Sequence, residues 1–160
     1  MVTRSLAAVI IASLWIGAAL LLMASVAPAA FATIPSHAVA GVLVGRVLSP
    51  VFLTGFAGGV VLTAVAAQER PSAGRRAQVL AAVAWGLTCG VSQFMLAPRI
   101  RAIQDAIGGP VGALAADDPR RMAFGRLHGT ILGVYMLAII SAAAVVMLAV
   151  PALRARNSHS

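Results

Sequence analysis

Leu14-Trp15-Ile16-Gly17-Ala18-Ala19-Leu20-Leu21-Leu22-Met23-Ala24-Ser25-Val26-Ala27-Pro28-Ala29-Ala30-Phe31-Ala32-Thr33-Ile34 is the stretch that decides the fold class. It is too long and too apolar to be the buried side of a soluble helix. It lies inside a longer run, Ser5 to Gly45, that contains no Asp, Glu, Lys or Arg. One membrane crossing needs about 20 apolar residues. The run is roughly twice that, so it must hold a span and a turn, with Pro28 and Pro35 as the natural breaks.

The same stretch has an echo. Trp15 and Trp85, the two tryptophans, each stand thirteen residues before a proline that follows an alanine, Ala27-Pro28 and Ala97-Pro98. An offset of 70 residues relates these positions, and after a ten-residue insertion an offset of 80 pairs Gly45-Arg46-Val47 with Gly125-Arg126-Leu127. The pattern predicts a tandem repeat of a two-helix unit, a form common among membrane proteins. Both copies then enter the bilayer from the same side, so Pro28, Pro98, Arg46, Arg126, His37 and His128 share one face.

Composition agrees. Hydrophobic residues make up 61% of the chain and charged residues 10%, against about 25% charged in soluble domains. All twelve basic residues are arginine, and the net charge is +8. Because the arginines flank apolar spans, anionic lipid headgroups are their expected partner and nucleic acid is not. Cys89, the single cysteine, has no partner for an intrachain disulfide and no ligand cluster around it, so packing is its expected role.

The chain divides into one membrane domain, residues 1–160, with spans at about 5–30, 46–68, 77–98 and 125–150 and an extramembrane segment at about 99–124. The first helix is read as retained, because its apolar run exceeds the 7–15 residues of a secretory signal. Gln68 to Arg76 forms a compact polar turn. Beyond Pro98 the helix continues outside the bilayer, with Ile100, Ile103 and Ile107 at helical spacing, and Gly108-Gly109-Pro110 ends it. Asp118-Pro119 reads as an N-cap and first helical residue. Arginine density in the second loop favours cytoplasmic N and C termini under the positive-inside rule, in a bacterial inner membrane.

Small residues one turn apart let helices approach closely in lipid. Gly55/Gly59, Gly86/Gly90 and Gly129/Gly133 fit that spacing, with Ser13/Gly17 a weaker case, and internal packing is the expected use of most. Trp15 and Trp85, about 20 Å of helical rise from their prolines, fall within the bundle, where the indole N–H groups need acceptors. Ser92, Thr88 and Thr54 are the available side-chain types.

Candidates for chemistry are few. The acids are Glu69, Asp105, Asp117 and Asp118, none of them within a span, which removes a carboxylate proton relay or sodium cage of the kind carriers use. No catalytic spacing, zinc signature or phosphate-binding glycine loop is present, so the chain is not expected to be an enzyme and no cofactor is expected. His37 and His128 are histidines on separate helices at one face, able in principle to ligate a metal or a haem iron. Met23, Met95, Met122 and Met136 could add thioether ligands for Cu(I), but there is no Met-x-x-Met clustering. Arg46 and Arg126 could line a polar mouth or extend to headgroup phosphates.

Leu14-Trp15-Ile16-Gly17, Ala27-Pro28-Ala29-Ala30-Phe31, Pro98, and Phe124-Gly125-Arg126-Leu127-His128-Gly129-Thr130 resemble the transmembrane protein 205-like family, whose bacterial members carry domain of unknown function 4149. The resemblance spans about Leu6 to Val150. It implies a four-helix integral membrane protein with no assigned reaction. In the family's pattern a polar residue, often Asn, follows the histidine by two turns; Tyr135 stands there in this chain. A looser similarity joins the Trp-x-Gly and later proline pattern to copper-resistance D-type membrane domains.

The sequence therefore predicts an all-α integral membrane protein, a four-transmembrane-helix bundle built from a tandem two-helix repeat. Its expected role is structural or accessory, meeting a membrane-protein partner, a second copy or lipid through His37, Arg46, Arg99, Arg101, Arg126, His128 and Tyr135. Trp15, Pro28, Trp85, Pro98, Gly129 and Gly133 are its structural positions. The alternative is transport of, or resistance to, copper or another small solute, with haem binding a third reading.

Overall fold

The structure is a computed structural model that describes the backbone of residues 2–68 and 72–157 and the side chains of residues 4–68 and 72–151. Glu69 and Arg70 of the second loop, and the side chains of Arg154 and Arg156 near the C-terminus, lie outside the described residues. Helix α1 (Val2–Leu21) passes through a π-helical turn, Leu22–Val26, into α2 (Ala27–Thr33). Helix α3 (His37–Ala67) returns. Helix α4 (Ala73–Val91) passes through a second π-turn, Ser92–Leu96, into α5 (Ala97–Ile107). A short 3-10 turn, Val111–Ala113, leads to α6 (Pro119–Asn157).

Pro28 does not break the first helix, contrary to the sequence expectation. A proline inside an α-helix lacks its N–H, and its ring collides with the carbonyl four residues back. Here the coil widens just before the ring: the Ala27 N–H donates to the Leu22 carbonyl, five residues back. The same device precedes Pro98, where the Ala97 N–H donates to the Ser92 carbonyl. The chain turns instead at Ile34-Pro35-Ser36. Pro35 pushes Ile34 into an extended conformation, with φ −90° and ψ 117°, and the Ser36 hydroxyl accepts from the Val39 N–H to start α3.

The other ends follow familiar chemistry. The Ser72 hydroxyl accepts from the Arg75 N–H at 3.2 Å and starts α4. Gly108 ends α5 in the left-handed region, φ +66°, where a side chain would be strained. Asp118 caps α6 as its sequence position predicts, its carboxylate accepting from the Arg120 N–H at 2.8 Å.

Four stretches, Arg4–Thr33, His37–Ala67, Ala73–Ile107 and Pro119–Pro151, are long and apolar enough to cross a membrane. They form an up-down-up-down bundle in which α3 packs on α4, α4 on α6 and α6 on α1, while α1 and α3 meet over a shorter stretch. The protein is thus a multi-pass integral membrane protein of all-α class. Ala8, Ala12, Trp15, Ala19, Phe52, Leu62, Ala82, Trp85, Cys89, Tyr135, Ala142 and Val145 build the core. On α5 no residue is buried.

Glycines set how closely α3 and α4 approach. A Cβ on Gly59 would lie 2.5 Å from the Gly86 Cα, backbone against backbone. One on Gly55 would lie 2.6 Å from both the Cys89 Sγ and the Trp15 Nε1. The helices also outrun the spans marked by charge: α3 begins at His37 and α6 at Pro119, ahead of Arg46 and Arg126. From Arg46 to Gln68, and from Arg76 to Arg99, the helical rise is about 33–35 Å at 1.5 Å per residue. That is close to the roughly 30 Å hydrocarbon thickness, the spacing that two headgroup levels require.

Candidate functional site

At the centre lies an aromatic cluster. Trp15 and Trp85 meet edge to face with ring centroids 5.2 Å apart, and Tyr135 packs against Trp15 at 6.5 Å and Phe52 at 5.6 Å. The Trp15 Nε1–H donates to the Val51 carbonyl at 2.7 Å. The Tyr135 hydroxyl donates to the Ala19 carbonyl at 2.9 Å. The three side-chain acceptors expected for the tryptophans are turned elsewhere: Thr54, Thr88 and Ser92 donate to carbonyls of their own helices. In a helix a hydroxyl reaches the preceding turn more easily than a neighbouring helix. Trp85 is fully buried, and its Nε1 has no hydrogen-bond acceptor.

Tyr135 is therefore buried among aromatics and tied to α1, away from the face assigned to it by sequence. Trp15 and Trp85 take the bundle-interior position expected of them.

One turn or more toward the His37 end, the second π-turn carries Gln93. Its Nε2 donates to the Ser49 Oγ at 3.0 Å, bridging to α3, and its Oε1 is buried without a partner. The sequence reading passed over Gln93; an amide inside an otherwise apolar span was the available signal.

The remaining candidates lie on the surface. His37, Arg46, Arg99, Arg101, Arg126 and His128 are all exposed. Each histidine sits beside an aromatic of its own neighbourhood: His37 lies 6.0 Å from Phe31, and His128 stacks on Phe124 at 5.8 Å with the planes 8° apart. Among the described residues, no three or more His, Cys, Asp or Glu side chains gather as a metal site. Arg120 and Arg121 serve the start of α6, pairing with Asp118 at 2.9 Å and donating to the Leu114 carbonyl at 2.8 Å. Hydrogen bonds from Arg120, first those of its side chain and then that of its backbone, hold the Asp118 carboxyl below its ordinary range.

The glycine ladders divide. Gly55, Gly59, Gly86 and Gly90 pack inside the bundle, Gly90 against the Phe56 ring. Gly125, Gly129 and Gly133 are exposed, and a Cβ on any of them would meet nothing within 4 Å. The internal role expected of Gly129 and Gly133 is not the one they have. Gly17 is likewise open.

No curated protein and no solved structure matches the chain. A family model described as Domain of unknown function (DUF4149) matches residues 10–109, from α1 to the end of α5 and so across most of the aromatic cluster and both π-turns. With that match covering more than half of its length, the chain belongs to the DUF4149 family.

Proposed function

We propose that this protein is a non-enzymatic accessory protein of the membrane that self-associates through the outward face of α6. Met122, Gly125, Gly129, Gly133, Met136 and Ile140 recur every three or four residues, Met147 follows two turns on, and all are exposed. Each glycine costs a helix about 1 kcal/mol relative to alanine, and nothing inside the bundle uses these three. A second copy inserted in the same sense runs its α6 parallel, so the glycine groove can meet itself across a two-fold axis. Methionines beside it supply adaptable contact surface. The open glycine ladder is the observation that carries this reading.

Arg46, Arg99, Arg101 and Arg126, at the headgroup level of the same end, suit anionic phosphates. The segment Phe124-Gly125-Arg126-Leu127-His128-Gly129-Thr130, on which the likeness to transmembrane protein 205-like proteins rests, supplies two glycines of the ladder. The two π-turns, Leu22–Val26 and Ser92–Leu96, lie at the offset of 70 residues that also relates the tryptophans, which supports a tandem duplication. Arginine density keeps our assignment of both termini to the cytoplasmic side of a bacterial inner membrane.

The test is the oligomeric state in mild detergent, by light scattering and by crosslinking in native membranes. A dimer is expected, and Gly129→Ile and Gly133→Ile should shift it to monomer with the chain still folded, because each new side chain enters space that is open in the single chain. A monomeric wild type, or a dimer indifferent to both substitutions, overturns the reading.

A further inference from the structure

The ring of four helices closes least completely between α1 and α3, which meet over a shorter stretch than the other neighbouring pairs. A cleft of about 330 Å³ lies at this seam, open on its outward side. It is lined by Ile11, Leu14, Trp15 and Ala18 of α1 and by Thr54 of α3. The buried Trp15 indole, held over Gly55, forms its inner wall, and Leu14, 70% exposed, stands at its rim.

Both side-chain hydrogens that could donate into the cleft are committed elsewhere. The Trp15 Nε1–H donates to the Val51 carbonyl, and the Thr54 hydroxyl donates to the carbonyls of Pro50 and Val51. The Thr54 oxygen is the one acceptor among the five side chains. Such a lining offers a polar ligand little to hold, whereas a hydrocarbon chain gains dispersion contacts along its whole length. A second copy fits less well. Helices approach closely in lipid where small residues line the contact, and Leu14 would hold another helix away while a flexible chain passes beside it.

Charge selects the kind of lipid. Arg46, Pro50 and Thr54 recur every four residues on α3 and are all exposed, so an outward line leads from Arg46 to the cleft. The helical rise between Arg46 and Thr54 is about 12 Å, within the roughly 15 Å that half a hydrocarbon layer allows. Among the described residues Arg46 has no ion-pair or hydrogen-bond partner. A phosphate on its guanidinium would send its chain past Pro50 into the cleft.

We infer that the α1–α3 cleft holds an acyl chain of an anionic phospholipid whose phosphate meets Arg46. This rests on reading Arg46 as a ligand for headgroup phosphate and is independent of the α6 dimer.

Quenching of indole fluorescence tests it. The purified full chain is reconstituted in phosphatidylcholine vesicles with rising fractions of chain-brominated phosphatidylglycerol or of chain-brominated phosphatidylcholine. Bromine quenches an indole at close range, so Trp15 reports on the cleft, while Trp85 is fully buried. The anionic lipid should reach half-maximal quenching at about one-fifth of the fraction that the neutral lipid needs, the equivalent of roughly 1 kcal/mol for one arginine. Arg46→Gln should erase that preference, and Arg76→Gln, which removes the same charge at the other end of the bundle, should retain it. Ala18→Phe, whose ring fills the cleft, should bring the anionic lipid down to the neutral one. Equal quenching by the two lipids in the wild type, an equal loss in both arginine variants, or a preference that survives Arg46→Gln or Ala18→Phe overturns the proposal. So does a wild type that neither lipid quenches, which means that something other than lipid covers the cleft. A monomeric chain with the preference intact would sink the α6 reading and leave this one standing.

Discussion

Trp15 and Tyr135 each send their one polar atom to the backbone carbonyl of another helix, Val51 and Ala19 respectively. These bonds set the rotation of α1 against α3 and α6 as packing alone would not. Trp15→Phe should cost about 0.5–1.5 kcal/mol, the net worth of one such bond. Trp15→Ala should cost about 3–5 kcal/mol, because it also opens a cavity beside Trp85. Tyr135→Phe belongs with the smaller class. Reversible unfolding in mixed micelles measures all three, and a Trp15→Phe loss as large as that of Trp15→Ala would contradict the bond's assignment. Of these residues the tryptophans were legible as interior positions from their spacing. Their acceptors were not, since any backbone carbonyl can serve and sequence does not distinguish among them.

At the scale of elements, each π-turn is one extra residue absorbed ahead of a proline. Deleting Met95, exposed in the second turn, should restore a regular α-helix and leave α5 facing as before. Deleting exposed Leu87 from within α4 should rotate everything beyond it by about 100° and abolish folding. Limited proteolysis and circular dichroism compare the two, and equal tolerance of both deletions would argue against the π-turn as an inserted residue. The start of α6 has its own pH dependence. The Asp118 carboxyl titrates lower in the folded chain, so its contribution is present above the ordinary carboxylate pKa and fades as pH falls through the lowered one. Amide protection at Arg120 and Arg121, measured as exchange relative to the intrinsic rate at each pH, should fall in acid in the wild type, and Asp118→Asn should flatten that profile. The cap was readable from Asp-Pro. The π-turns were not, because a proline preceded by apolar residues equally well announces a break.

For the whole molecule, the α3–α4 seam is the least forgiving region. Gly59→Leu places a side chain against the Gly86 backbone, which cannot move aside, and should cost at least about 1–3 kcal/mol from overpacking. The same change at Gly133 meets open space and should not lower the monomer's stability, the better helix propensity of Leu favouring a small gain. Comparing their unfolding curves tests the division of the glycines into internal and outward sets. The spacing of small residues revealed the Gly55/Gly59, Gly86/Gly90 and Gly129/Gly133 pairs, but such pairs look alike in sequence; only the neighbours of each helix tell a packed one from an open one.

The sequence by itself determined the class: four apolar stretches of helix-crossing length, parted by proline or by charge, are satisfied in lipid as helices, because a backbone out of water must bond internally. It also marked both tryptophans as interior, the cap at Asp118 and the two arginine levels. The tertiary structure alone decided that the helix continues through Pro28 by way of a π-turn, that Tyr135 belongs to the core, that Gln93 reaches Ser49, and that Gly129 and Gly133 face outward. These depend on which helix lies beside which, and on rotations of each about its axis. Periodicity fixes such rotations poorly when lipid and core are equally apolar.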